Sequence, residues 1–344
     1  ALIRQLARVD AQDYFERGIE LAIEQDRLLV EPMDISDLYA VEVDFASRDA
    51  ATLGFSALAV GLGLPTGEAE IVQAVEAARG AEVAVVCVGR DASWDTEGAD
   101  LPDIRLPGRQ DELVARVAEA NPRTVVLLQT GGPVEMPWAG RVAAILQAWY
   151  PGQEAGHAVA DVLLGLAEPG GRLPLAFPAR WEDGATHSQD PEVYPGLDGR
   201  VRYEEGVFIG QRHHDRMGTP PLFPLGHGLS YAAFALSDLA LEANGDGACA
   251  RVTVTNTGER EGSEVVQAYV APAPAPVPRP LRELKGFAKV VLAPGQSRRV
   301  TIPLPPRAFA FFDAAAREWV VEPGAYGVEV GRSAADLPLR ADWQ

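Results

Sequence analysis

The sequence predicts an α/β sandwich domain with a mainly parallel sheet, followed by an all-β sandwich and preceded by a β-rich segment. Three observations support this prediction. Apolar strand-like runs alternate with amphipathic helices in residues 68–230, and short strands without helices fill residues 231–344. Residues 1–67 contain short strand-like runs, one of which alternates with period two. We therefore predict three domains with boundaries at these positions.

The first segment is expected to be mostly β-structure. Residues 39–45 alternate apolar and polar side chains, and residues 28–30 and 51–55 are short runs that also suit strands. Together these patterns predict a β-rich segment that ends near residue 67.

The second segment alternates helical and strand patterns, which predicts a mainly parallel sheet. One face of the first predicted helix carries Ile71, Val72, Val75 and Ala78. The run Glu82–Gly89 is apolar and β-branched, which is typical of a strand buried on both faces. The predicted elements are helix 68–79, strand 82–89, helix 110–119, strands 124–129 and 142–148, helix 156–164 and an edge strand 172–177.

The third segment follows a long connection with few regular patterns, residues 179–230. Turns such as Pro294-Gly295 and Pro323-Gly324 then separate short strand-like runs. This spacing predicts a β-sandwich of immunoglobulin or fibronectin type. Its strands are expected at 250–258, 264–270, 287–292, 297–304, 319–321 and 326–330.

Charge and composition exclude several classes of function. The formal net charge of −19 opposes binding to nucleic-acid phosphates and to anionic membrane surfaces. No apolar run reaches the roughly 18 residues of a membrane span. Cys87 and Cys249 lie in apolar runs and are expected to be buried free thiols. We expect a soluble protein, either secreted or of the bacterial cytoplasm, and the sequence leaves a homo-oligomer open.

Candidate chemistry is concentrated in the loop from Arg90 to Arg109, which follows the first predicted strand of the sheet. It is far longer than a plain connection, and ligands bind where parallel strands end. The loop combines a tryptophan with several carboxylates, which suits sugar chemistry because an aromatic face stacks on a sugar ring and a carboxyl group can protonate a glycosidic oxygen. The side chains concerned are Asp91, Trp94, Asp95, Glu97, Asp100 and Asp103.

Three interpretations of this loop remain open from composition alone. It could be a solvated acidic loop, a calcium site or the position of a catalytic carboxyl group. Calcium binds clustered carboxylates, but the loop lacks the regular spacing of a calcium-binding loop.

Longer motifs resemble glycoside hydrolase family three, in its C-terminal part. The resemblance covers roughly residues 68–344, and several long motifs occur in the family's order. The motifs are Trp94–Asp100 with Leu106–Leu113, Pro151–Gly156 with Ala160–Leu163 and Pro169–Pro174, Arg202–Gly210, Leu222–Tyr231, and Asn256–Gly258 with Leu284–Phe287.

The resemblance implies a retaining β-glycosidase, most closely a β-glucosidase, that acts on β-linked glucosides or oligosaccharides without cofactor or metal. By motif, Glu97 corresponds to the general acid/base, while Trp94 and Asp95 are expected to contact the sugar. The family's nucleophile is an aspartate on a (β/α)8 barrel domain, and the family's Ser-Asp-Trp type motif is absent from this sequence.

Two further expectations follow from the match. If the chain is part of a hydrolase, the barrel is expected from the same longer polypeptide or from a partner chain. The alternative to a hydrolase is a non-catalytic carbohydrate-binding or scaffolding module. Residues 1–67 resemble the end of the protective-antigen-type β-sandwich that some family members insert into the α/β domain.

The candidate loop departs from the family at one position. Asp100 is followed by Leu101 rather than by the family's frequent arginine, so a local salt bridge that would order the loop is expected to be missing.

Overall fold

The computed structural model describes residues 67–92, 94–97, 100–188 and 190–344, with the backbone of two short strands before them. Those strands, β1 (Val9–Asp10) and β2 (Phe45–Ala46), pair in parallel. Apart from Phe45, the strands predicted within residues 1–67 lie outside the described residues.

The chain divides into two units, and the domain boundaries predicted from sequence stay predictions. The first unit contains the parallel sheet and the second contains residues 148–344 with two short segments from the earlier part of the chain. The first unit comprises Ala1–Pro102, Leu106–Gly131 and Trp138–Gln147, and the second comprises Asp103–Arg105, Gly132–Pro137 and Ala148–Gln344.

The first unit confirms the predicted alternation of helices and parallel strands. Its three-stranded sheet has the order β3-β4-β5, and both pairings are parallel. The elements run α1 (Glu68–Gly80), β3 (Ala84–Gly89), α2 (Gln110–Ala120), β4 (Thr124–Gln129) and β5 (Ala144–Gln147).

Burial on β3 corrects one prediction, because the strand is buried on one face only. Val86 and Val88 are buried, whereas Val85 is 47% exposed and Cys87 is exposed. Helix α2 packs against β3 and β4, so among the described residues helical cover reaches one face of the strand. Both expectations for the other face were therefore wrong: the strand is not buried on both sides, and the Cys87 thiol is not buried.

Two smaller expectations also fail, one in α1 and one in the sandwich. Val72, predicted on the apolar face of α1, is 41% exposed, while Ile71 and Ala78 are buried as expected. Cys249 is free like Cys87, but it is only partly buried. Sequence periodicity thus identified the helix, but the width of its buried stripe is set by the neighbouring elements.

The predicted edge strand 172–177 forms only isolated contacts with residues 223–227. The Leu173 amide donates to the His227 carbonyl at 2.8 Å, and the Phe177 amide donates to the Phe223 carbonyl at 2.8 Å. Between these contacts, the Leu225 amide, which could continue the pairing, donates instead to the Gln211 side chain at 3.1 Å. A continuous strand therefore does not form.

Two helices of the second unit lie before the sandwich. Helix α3 spans Ala155–Leu163, one residue earlier than predicted. Helix α4 spans Gln211–Met217, within the connection for which no helix was predicted. Gly218 ends α4 in the left-handed conformation with φ of 67°, which glycine adopts without a Cβ penalty. No described helix has the length and apolar character needed to cross a membrane.

The predicted β-sandwich is confirmed as two antiparallel sheets, with strand orders β10-β7-β6 and β14-β13-β8-β9, beside a small hairpin of β11 and β12. Its strands are β6 (Phe234–Asn244), β7 (Gly247–Asn256), β8 (Gly262–Ala271), β9 (Glu283–Leu292), β10 (Ser297–Leu304), β11 (Phe311–Asp313), β12 (Glu318–Val320), β13 (Tyr326–Gly331) and β14 (Leu339–Trp343).

The core of the sandwich lies between the inward faces of the two sheets. Val252 and Ile302 from one sheet meet Val266 and Val328 from the other, and all four side chains are fully buried. Sequence analysis missed β6 because its alternation breaks at a register shift between Ser237 and Ala240.

Asn256, fully buried at the end of β7, provides a test of polar packing in the sandwich. Its Nδ2 group donates to the carbonyls of Arg260 at 2.7 Å and Leu292 at 2.9 Å, and its Oδ1 accepts from the Gly258 amide at 2.9 Å. Asn256→Ala removes these bonds inside the protein, so we expect a loss of about 1–3 kcal/mol in the free energy of unfolding. Urea denaturation measures it. The exposed Asn244→Ala is the matched control, and equal urea midpoints for the two variants would contradict the assignment.

Candidate active site

The candidate loop is anchored where it leaves β3 and where it enters α2. The Gln110 side chain accepts from the Gly89 amide at 2.7 Å and donates to the Gly89 carbonyl at 2.9 Å. It also donates to the Pro107 carbonyl at 3.1 Å. A Cβ atom at Gly89 would lie 2.1 Å from the Gln129 carbonyl oxygen, so only glycine fits between these strand ends. The first residue of α2 thus binds the last residue of β3 across the base of the loop.

A buried ion pair lies beneath the first turn of the loop. The Arg90 side chain is fully buried, and its Nη1 atom lies 3.6 Å from Asp95 Oδ1. Asp95 Oδ2 accepts from the Gly131 amide at 2.7 Å. The amides of Trp94 and Asp95 both donate to the Asp91 carbonyl at 3.0 Å, which closes the turn. Asp95 therefore joins the loop to the residues that follow β4.

A cleft of about 320 Å³ opens at the carboxyl end of the parallel strands. Trp94 lines it, and Glu97 lies in the exposed turn that follows. Asp95 does not line the cleft, because both its carboxylate oxygens face the base of the loop. The lining residues are Cys87, Val88, Gly89, Arg90, Asp91, Trp94, Pro107, Gln110 and Gln129.

Three polar residues of this site were not singled out from the sequence: Arg90, Gln110 and Gln129. Asp91 was included among the loop carboxylates. The available signal was positional, since Gln129 ends a strand and Gln110 follows Pro107-Gly108 at the start of a helix. Gln110 and its partner Gly89 are 21 residues apart along the chain, and sequence patterns do not reveal such pairs.

Ion pairs of Arg109 hold the end of the loop at the start of α2. Arg109 donates to Glu112 at 2.7 Å and to Glu68, at the start of α1, at 2.8 Å. These hydrogen bonds from the Arg109 guanidinium lower the pKa of both carboxyl groups. The fully buried Trp138 donates from Nε1 to Asp111 Oδ1 at 2.7 Å. The start of α2 is consequently held on several sides.

Glu97 carries an exposed carboxyl group three residues after Trp94, the aromatic residue that lines the cleft. Among the described residues, no group of three or more His, Cys, Asp or Glu side chains is placed to hold a metal ion. Such a carboxyl group can donate a proton to a bound molecule, and it can accept a proton from one.

The Arg90–Asp95 pair yields a prediction about loop stability. Asp95→Ala leaves the Arg90 charge buried without this counter-ion, so we expect a loss of about 3–5 kcal/mol in the free energy of unfolding. Urea denaturation measures the loss, and limited proteolysis should show faster cleavage within residues 90–109. Asp100→Ala, an exposed carboxylate of the same loop, serves as the control. Indistinguishable behaviour of the two variants would mean that the pair does not hold the loop.

Comparison with known families gives matches along most of the chain. The sequence profile described as "Glycosyl hydrolase family 3 C-terminal domain" matches residues 5–231. The profile described as "Fibronectin type III-like domain" matches residues 264–334. The first match contains the parallel sheet with its loop, and the second lies within the sandwich.

The chain is similar to several curated β-glucosidases. It is 49% identical over 304 residues to a β-glucosidase of Rhizobium radiobacter, covering 87% of this chain and 37% of the relative. It is 41% identical over 305 residues to the probable β-glucosidase I of Aspergillus terreus, covering 86% and 36%. The chain thus spans little more than a third of the length of these relatives.

Solved structures show the same relationship. The β-glucosidase DesR of Streptomyces venezuelae, crystallised in complex with D-glucose, matches with a TM-score of 0.77 and 42% identity, covering 80% of this chain and 35% of that one. A β-glucosidase of Bifidobacterium adolescentis matches with a TM-score of 0.76 and 38% identity, covering 88% and 43%. Sequence motifs, domain profiles and fold agree, and the chain therefore belongs to glycoside hydrolase family 3.

Proposed function

We propose that this chain is the C-terminal part of a retaining β-glucosidase in which Glu97 is the general acid/base. The observation that carries the proposal is an exposed carboxyl group on a loop whose base is held by buried contacts, at the carboxyl edge of a parallel sheet. The relatives described as β-glucosidases support β-linked glucosides or oligosaccharides as the substrates.

The proposed reaction has two steps that reuse the same carboxyl group. In the first step, a carboxylate nucleophile bonds to the anomeric carbon, the bond to the leaving oxygen breaks, and Glu97 gives its proton to that oxygen. In the second step, water attacks the anomeric carbon, its proton passes to the Glu97 carboxylate, and the bond to the nucleophile breaks. Retention requires the two carboxyl groups about 5–5.5 Å apart.

Trp94 and Asp95 have different proposed roles beside Glu97. Trp94 presents an aromatic wall to the cleft and is the proposed platform for a sugar ring. Asp95 was expected from the sequence to contact the sugar as well. Because its two oxygens face Arg90 Nη1 and the Gly131 amide, we assign it to holding the loop that carries Glu97.

The nucleophile belongs to a part of the enzyme outside these 344 residues. The sequence lacks the family's nucleophile motif, and the relatives are almost three times as long as the matched region. A (β/α)8 barrel domain, in the same longer polypeptide or in a partner chain, is proposed to supply the nucleophile and the remaining sugar contacts.

The role of Glu97 is tested in the protein that includes the barrel. Loss of a general acid costs about 10²–10⁴-fold in rate, and it matters most for leaving groups that need protonation. We therefore expect Glu97→Ala to lower kcat/KM strongly for an alkyl β-glucoside and much less for dinitrophenyl β-glucoside, while kcat falls for both because Glu97 also activates the water of the second step. Added azide should restore turnover and yield a β-glucosyl azide.

Asp100→Ala is the matched control, since it removes another exposed carboxyl group of the same loop. It should keep kcat near the wild-type value for both substrates. Equal losses of kcat/KM for Glu97→Ala on both substrates, without azide rescue, would rule out the acid/base role. Binding of a glucoside with no turnover, in a native protein that lacks any barrel, would instead favour the non-catalytic module.

A further inference from the structure

Gln147 is the last residue of β5 and lies at the same edge of the sheet as the candidate loop. Strand β5 pairs in parallel with β4, and Gln147 lies opposite Leu128 in their register. The Gln147 Nε2 group donates to the Thr130 carbonyl at 3.2 Å and to the Thr130 hydroxyl oxygen at 3.4 Å. Thr130 follows the end of β4 and is fully buried. Gln147 therefore holds the chain where it leaves the central strand.

The peptide group between Thr130 and Gly131 links Gln147 to the candidate loop. Its carbonyl oxygen accepts the bond from Gln147, and its N–H group donates to Asp95 Oδ2 at 2.7 Å. Because a peptide group is planar, fixing the direction of the carbonyl also fixes the direction of the N–H group. A bond accepted at the oxygen also polarises the peptide group and strengthens the bond that its N–H group donates. Gln147 thus affects how Asp95 is held.

The position of Asp95 in turn restricts the position of Glu97, because only Thr96 lies between them. Two residues of extended chain span at most about 7 Å, so a displacement of Asp95 moves the Glu97 backbone with it. The other Asp95 oxygen lies 3.6 Å from Nη1 of Arg90, which follows β3 directly. The turn that carries Glu97 is therefore held from β3 and, through Gly131, from β5.

The Gln147 amide is placed to support the loop and not to take part in the chemistry itself. Gln147 is not among the described residues that line the cleft, and a neutral amide does not exchange protons as an acid or base. Its Oε1 atom is buried and has no hydrogen-bond partner among the described residues. The Nε2 group that faces Thr130 is consequently the part of the side chain that can act on the site.

We propose that Gln147 is a positioning residue for the general acid/base, acting on Glu97 through the Thr130–Gly131 peptide group and the Asp95 carboxylate. The inference rests on the proposed function, in which Glu97 protonates the leaving oxygen. Proton transfer of this kind depends on geometry, since a misplacement of about 1 Å can cost about 10²-fold in rate. Loss of the Gln147 bond therefore weakens acid catalysis and spares a substrate that does not need it.

Gln147→Met tests this role in the protein that includes the barrel. Methionine is similar in size to glutamine, and it removes the Nε2 donor together with the unpartnered Oε1 atom, so the two effects on stability oppose each other. We expect kcat/KM to fall about tenfold for an alkyl β-glucoside. For dinitrophenyl β-glucoside, whose leaving group needs no proton, we expect a change of less than about twofold. Equal losses on both substrates would overturn the proposal.

Asn121→Ala is the matched control, because it removes a buried side-chain amide at the opposite end of β4. The Asn121 Nδ2 group donates to the Ala78 carbonyl at 2.9 Å and to the Ala81 carbonyl at 3.0 Å. Asn121→Ala should lower the urea midpoint but leave the ratio of kcat/KM for the two substrates at its wild-type value. A change in this ratio as large as that of Gln147→Met would contradict a specific path from Gln147 to Glu97.

A double variant separates this inference from the proposed function on which it rests. In a Glu97→Ala background, Gln147→Met should change kcat/KM for the alkyl β-glucoside by less than about twofold, because the group that it positions is gone. A further tenfold loss there would overturn the positioning role. If Glu97→Ala separates the two substrates and Gln147→Met does not, the positioning role alone is wrong. If Glu97→Ala itself does not separate them, the proposed function is wrong.

Discussion

The site depends on how closely the ends of β3 and β4 approach each other. Gly89 has no Cβ atom, and this allows its peptide group to lie against the Gln129 carbonyl and to exchange hydrogen bonds with Gln110. A long loop pays a modest entropic cost for closure once its ends are fixed, and each doubling of length adds only about 0.6 kcal/mol. The 20-residue loop that carries Glu97 has a small closure entropy cost relative to its length, because both of its ends are held at the Gly89 peptide group.

How much was predictable from the sequence depended on whether the signal was local. Strand β4 was predicted with its observed ends because its apolar run lies at the centre of the sheet. The half-exposure of β3 was not, since an apolar run does not reveal which faces have neighbours. Glu97 was identified only through a family motif. The Arg90–Asp95 pair and the Gln110 bridge join residues whose partners are set by tertiary structure, and no periodicity encodes them.

Buried polar groups help to hold the connection between the helices and the sandwich. Arg172 and Glu264 form a pair with both side chains less than 10% exposed, and Arg172 Nη2 lies 2.6 Å from Glu264 Oε1. Gln267 donates to the Gly226 carbonyl at 3.0 Å. Buried polar contacts of this kind demand specific geometry and penalise alternatives, so the connection follows one path along β8.

The interrupted pairing of residues 172–177 with 223–227 also bears on how the protein behaves at high concentration. Exposed strand edges offer unpaired amide and carbonyl groups on which other molecules can add a strand, and natural proteins often place proline at such edges. Pro174 and Pro224 remove amide donors from both segments, so neither offers a continuous ladder. These two prolines therefore protect the segments against edge-to-edge aggregation.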